Sequence, residues 1–269
     1  MVTSSLYAPH GEVRSRRFVD LIRVTAIRAL MVRYRGTAFG VLWSFANPVL
    51  MTLIYTGIFG TAFKRYYDGS LTRYLVSAFV GLVVVSFFLA ATNDALPSIV
   101  NAGSLMNKIA IPPIVFPIAA VAANLFQQLV TTFPILFVLS IVLTRDPARI
   151  ALVPVVLAAV VVLSAGFALG LAALFVFFRD LPHLWQVAGF ILWLSSPLFY
   201  PIQLVPPQAR LWFSLNPMGQ AIAATREVTI ARGPLDPHPI LYTVGAALVA
   251  LALGAWLFRA TRDDFMDLL

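Results

Sequence analysis

The chain has 269 residues, of which 60% are hydrophobic and only 11% charged, and its mean hydropathy is +0.89. A soluble domain carries about 25% charged residues, so too little polar surface exists here to coat a water-borne globule. The net charge is +8, with seven of the 19 Lys and Arg placed before residue 36, which speaks of membrane topology before nucleic acid. The absence of cysteine excludes a disulfide framework, a thiolate metal site and a thiol nucleophile.

In chain order, residues 13–35 read as a helix lying on the membrane. Phe18, Val19, Ile22, Ala26 and Ala29 share one side at helical spacing, and Arg16, Arg17, Asp20 and Arg23 share the other. Val24 and Ile27 fall in the polar half, so the segregation is imperfect. Such a helix serves as a topology anchor or as a docking surface. The first 38 residues hold no apolar core of the signal-peptide kind, and no cleaved leader is expected.

A first span is predicted over 39–62, about 36 Å as a helix, and a second over 74–92. The apolar run 111–143 is too long for one simple span. Its front end, "IPPIVFP", carries three prolines, which predicts an elbow there and a third span over 117–143. "TRDPAR" places Asp146 and Pro147 in N-cap and first-turn positions ahead of a fourth span, 150–177. "FRDLPH" repeats the Asp-before-Pro pattern ahead of a fifth, 183–200.

The stretch "SSPLFYPIQLVPPQARLWFSLNP", residues 195–217, contains five prolines. An unpaired backbone group in hydrocarbon costs several kcal/mol, so such a segment lies outside lipid or packs inside protein. The following "MGQAIAATREVTIARG" is too short and too polar to cross, because Arg226 and Glu227 would each cost about 3 kcal/mol in lipid. Residues 201–230 are therefore read as a re-entrant pair of short helices dipping in from the outer face, with Asn216 and Pro217 starting the second. "LDPHPI" opens a sixth span, 239–258.

The predicted fold is thus all-α and integral to the membrane: one domain, 1–269, of six transmembrane helices, an amino-terminal amphipathic interface helix and a re-entrant pair between spans five and six. Six spans put both termini on one face. With both inside, 11 Lys and Arg lie inside and 8 outside.

No G-x-x-x-x-G-K-[ST], H-E-x-x-H or G-x-S-x-G stretch occurs, so no phosphate-cradling loop is expected in this chain. Three scattered histidines offer no metal site. Asp94, Asp146, Asp180, Glu227 and Asp236 fall at span ends or in loops rather than mid-membrane, which argues against a proton relay. Uphill movement of cargo then needs power from another polypeptide. In span one, Phe39, Trp43, Tyr55, Phe59 and Phe63 recur at multiples of four. They form either interfacial belts and ordinary packing or a sugar-stacking wall. Asn47-Pro48 is expected to interrupt that helix. Arg33 and Arg35 flank Tyr34 just before it; they snorkel to lipid phosphate, grip a diphosphate headgroup, or do both. Gln127 and Gln128 read as inter-helix hydrogen-bonders.

"VRYRGTAFGVLWSFANPVLMTLIYTGIFG" (32–60), "NKIAIPPIVFP" (107–117), "FRDLPHLWQVAGFILWLSSPLFYPIQLVP" (178–206) and "LNPMGQAIAATREVTI" (215–230) together resemble the type-2 ABC transporter permeases that export polysaccharides. The Ser-Ser-Pro-Leu at 195–198 departs from the more usual Ser-Pro-Ile. The resemblance implies a homodimer seated on two copies of an ABC ATP-binding subunit that binds ATP and Mg, with no cofactor in this chain and no nucleic-acid partner. It implies a polyprenyl-diphosphate-linked glycan as cargo, moved across the inner membrane with both termini cytoplasmic.

The resemblance also assigns ATPase coupling to Arg17 and Arg23 on the interface helix and to Asn107, Lys108 and Ile109 in the 93–113 loop. Conduit lining falls to Trp43, Tyr55, Phe59, Phe199 and Tyr200, and carrier-diphosphate binding to Arg33 and Arg35. Two other readings stay open: an exporter of a small lipid or drug, and a membrane-embedded enzyme acting on polyprenyl carriers.

Overall fold

Helix starts follow the punctuation in the sequence. Side-chain oxygens of Ser70, Asp146 and Asn216 accept from the amides of Arg73, Ala148 and Met218, which opens α3 (Leu71–Ala95), α8 (Pro147–Phe177) and α11 (Pro217–Thr229). Each oxygen satisfies an amide that has no partner inside the helix. Pro147 and Pro217 occupy first-turn places where no amide is needed. Asp180 holds the same place ahead of α9 (Leu181–Ser195), yet its side chain makes no capping bond. Asp236 accepts from the His238 amide at the head of α12 (His238–Thr261).

The computed structural model describes residues 10–106, 108 and 111–265, with side chains from Phe18 onward, and every regular element among them is helical. Four helical stretches are long and apolar enough to cross a bilayer: 40–66, 71–95, 147–177 and 238–264. The first comprises α2 (Trp43–Phe63) with a 3-10 turn at each end. A fifth candidate is the pair α6 (Val115–Val130) and α7 (Phe133–Leu143), bent by 45°. Pro134 explains the bend: at the head of α7 it cannot donate to the turn before it.

The six predicted spans are not all found as long helices. α9 has 15 residues and runs about 22 Å, short of the roughly 30 Å hydrocarbon core, because Pro197 stops it. Asn47-Pro48 does not interrupt α2 either. Pro48 lies inside the continuous helix, close to its start, and Asn47 is exposed.

The best-buried helix is α3, which packs against α2, α6, α8 and α11. Phe87 and Phe88 on α3 are fully enclosed, and Phe88 meets Phe167 of α8 edge-on at 5.2 Å. α8 and α12 cross with backbones touching. Gly166 and Gly170 of α8 face Ala250 and Gly254 of α12, and a Cβ on Gly254 would overlap the Gly166 carbonyl. Small residues four apart permit that approach, and dispersion at short range holds apolar helices together where lipid is as greasy as protein.

α1 (His10–Tyr34) is less cleanly two-faced than its sequence predicts. Ile22, Ala26 and Leu30 pack on Ala119, Ala122 and Ala123 of α6. Val19, Val24, Ile27, Met31 and Val32 stay exposed around the rest of the helix. The buried stripe is therefore narrow, and it ends at Arg33.

Candidate functional site

The chain breaks after α9 at Ser196-Pro197, which leaves carbonyls without helical partners. Three are taken up by side chains. Arg226 of α11 donates to the carbonyls of Pro197 (2.8 Å) and Leu198 (2.9 Å), and also to that of Ser77 in α3 (3.0 and 3.1 Å). The Tyr74 hydroxyl donates to the Phe199 carbonyl at 2.9 Å. A Cβ at Gly81 would stand 3.2 Å from the Arg226 guanidinium, so the glycine leaves room for it. Asn216, at the join of α10 (Pro207–Leu215) and α11, donates to both Ser195 and Ser196 hydroxyls at 3.1 and 3.2 Å. The prolines thus free backbone acceptors, and an arginine and a tyrosine restore their hydrogen bonds, while the asparagine ties the two serine hydroxyls at the break.

That junction brings aromatic rings into one row. Phe199, only 7% exposed, stacks on Tyr55 of α2 at 3.5 Å between centroids and 12° between planes. Along α2 the stack continues from Tyr55 to Phe59 (6.0 Å) and from Phe59 to Phe63 (5.8 Å). Trp193 of α9 closes on Phe199 at 5.5 Å and on Tyr55 at 6.2 Å. The structure therefore unites three of the five expected lining residues: Tyr55, Phe59 and Phe199. Trp43 pairs edge-on with Phe39 and is 53% exposed, apart from the row. Tyr200 turns away, donating to the Leu194 carbonyl at 2.9 Å. Trp193 was not anticipated; its place six residues before Phe199, across a Ser-Pro break, was the available signal.

At the opposite end of α3, Arg33 is engaged rather than free. Its guanidinium forms an ion pair with Asp94 and donates to Asn124 (3.1 Å) and Gln127 (3.3 Å) of α6. The Tyr34 hydroxyl donates to the same Gln127 oxygen at 2.5 Å. Gln127 thus bonds between helices as expected, whereas Gln128 accepts from Thr132 within the bend. Arg35 is exposed. Asp94 leads into α4 (Ser98–Asn101) and α5 (Gly103–Met106), where Ile99 is buried among Leu169, Ala172 and Phe258. Arg23 and Lys108 are exposed. Asn107, Ile109 and the Arg17 side chain lie outside the described residues.

At the N-terminal end of α3 a cavity of about 730 Å³ opens against α10 and α11. Tyr67, Arg73, Gln203, Phe213, Gln220 and Arg232 contribute to its wall. Among the described residues no group of three or more His, Cys, Asp or Glu could hold a metal.

A family model described as "ABC-2 type transporter" matches residues 20–230, which hold α2 to α11 and most of α1. The chain belongs to the ABC-2 type transporter family. It is 26% identical over 243 residues to the O-antigen export system permease protein RfbA of Myxococcus xanthus, covering 89% of this chain and 92% of that one. A protein of the same name from Klebsiella pneumoniae is 26% identical over 254 residues, or 93% and 95% of the two chains. The ABC-2 chain is thus a transport permease rather than an enzyme, and its long apolar helices make it a multi-pass membrane protein.

Proposed function

We propose that this permease is the transmembrane subunit of an ABC exporter of O-antigen-type polysaccharide, carried on a polyprenyl diphosphate across the inner membrane. A separate ATP-binding subunit, in two copies, binds ATP and Mg and supplies the force to a homodimer of this chain. The observation that carries the reading is the aromatic row that joins α2 to the end of α9. Ring faces give weak contact that tolerates different sugars, and a polymer must be held loosely enough to move on. The names of the similar proteins point the same way.

Six crossings with both termini cytoplasmic require α9 and the segment after it to pass together. Leu184, Val187, Phe190, Ile191 and Leu194 are exposed along α9, as a lipid- or partner-facing helix needs. Helices α10 and α11, of nine and 13 residues, are too short to cross. They return to α3 through Arg226 and Ser77, which supports a re-entrant pair at the outer face. Arg23 and Lys108 stand exposed where the ATPase would dock. Arg35 and Arg33 stand before α2 for the carrier diphosphate, and Trp43 follows them towards the row.

Depletion of the protein should trap carrier-linked polymer inside cells. Normal surface glycan with new drug sensitivity would overturn the assignment in favour of a small-molecule exporter. In vesicles containing the permease and its ATPase, Tyr55→Ala should reduce the stimulation of ATP hydrolysis by cargo, and unaltered stimulation would return the row to plain packing.

A further inference from the structure

Two donors from different helices converge on one oxygen at the α1–α3–α6 junction. Arg33 of α1 reaches Asp94 Oδ2, and the Asn124 Nδ2 of α6 donates to the same Oδ2 at 2.6 Å. Asn124 also accepts from Arg33 through its own oxygen, so the two donors are locked to each other. Gln127 accepts from the same Arg33 nitrogen that reaches Asn124, Nη1, and from the Tyr34 hydroxyl. Each donor is thus oriented by a neighbour before any ligand arrives. Arg33 and Asp94 are reachable, with side chains 30% and 36% exposed, whereas Asn124 is buried.

A guanidinium and an amide N–H aimed at one anionic oxygen suit a phosphate oxygen as well as a carboxylate. We propose that Arg33 and Asn124 form a phosphate-oxygen cradle for a lipid headgroup, and that Asp94 is its resident occupant, which the headgroup must displace. This rests on the proposed role of Arg33 toward the carrier diphosphate and adds what governs access to it. A phosphate entering beside Asp94 meets like charge, so both anions cannot share the cradle. Asp94 lies one residue before the end of α3, and the chain runs from there directly into α4 and α5. Movement of that loop would draw the carboxylate off Arg33 and open the cradle.

The test uses the full permease with its ATPase in lipid nanodiscs, titrated with polyprenyl diphosphate, polyprenyl monophosphate and phosphatidylglycerol. Asp94→Asn should bind the diphosphate about tenfold more tightly than the parent, a shift on the scale of one lost repulsive contact. Asn124→Ala should weaken binding, and Arg33→Ala introduced into Asp94→Asn should abolish the gain. If Asp94→Asn fails to assemble, Asp94→Ser deletes the same charge and serves the same comparison. Unchanged or weaker diphosphate binding in both, at an unaltered thermal midpoint, would make Asp94 a purely structural brace and overturn the inference. An equal gain for phosphatidylglycerol would uphold the cradle and sink the carrier reading, assigning the phosphate to bulk lipid.

Discussion

Helices α2 and α3 are both apolar enough to span a membrane, yet they live in different surroundings. Fifteen of the 25 residues of α3 are buried, against four of the 21 of α2. α3 is enclosed by neighbours on all sides. α2 buries only the stripe Pro48, Thr52, Thr56 and Gly60, and turns Leu50, Leu53, Ile54 and Ile58 outward. Hydropathy cannot separate the two, because lipid tails and a protein interior are equally apolar. By helix-to-helix packing the bundle has a fixed half, α3 with α8 and α11 and with α12 pressed on α8, and an open half, α2 and α9, whose apolar faces are left uncovered.

The largest effect should come from breaking the fixed half at its tightest crossing. Gly254→Val puts a side chain into the Gly166 backbone, so about 3 kcal/mol or more of stability should be lost, read as a lower thermal midpoint in detergent. A midpoint unchanged from the parent would show that α8 and α12 do not touch as described. Arg149→Met comes next. Arg149 is buried and binds Asp146 and Glu227, both at 2.9 Å, so its removal leaves a carboxylate uncompensated. A loss of about 3 kcal/mol is expected, with faster proteolysis of the 227–236 segment.

A change in the open half should act differently. Ile58→Gln should leave stability within about 1 kcal/mol of the parent, read as a nearly unmoved thermal midpoint, since no described neighbour encloses Ile58. It should shift the monomer–dimer balance in detergent if that face meets a second copy, and leave it unmoved if the face meets lipid. The smallest effect belongs to Thr52→Val and Thr56→Val. Their buried hydroxyls have no partner among the described residues, so replacement should be neutral or slightly stabilising, within about 0.5 kcal/mol. A large loss would mean that a partner chain supplies the missing bond.

Much of the architecture was legible because its signals are local. Asp146-Pro147 and Asn216-Pro217 mark helix starts through a side chain that caps the amide two residues on, and the structure bears both out. The α9 boundary was harder. "FILWLSSPLFY" is continuous in hydropathy, and only the proline's missing amide shows that helix stops at Ser195. The site was legible in part. Aromatics at multiples of four on α2 pointed to Tyr55 and Phe59, but the ring that completes the stack, Trp193, sits on another helix. Arg226 was read as too polar to cross lipid. Its actual use, satisfying carbonyls around Pro197, depends on contacts 28 to 149 residues away in sequence.

The amino-acid sequence alone determined that this chain resides in a membrane, where most of its helices begin, and that it carries no phosphate-cradling motif of its own. Those follow from composition and from groups close together along the backbone. Only the tertiary structure decided which apolar faces turn inward, which glycines touch, and that Arg33 is held by Asp94 and Asn124. Burial and pairing are properties of two surfaces meeting, and in a chain this uniformly apolar no single segment records which surface it will meet.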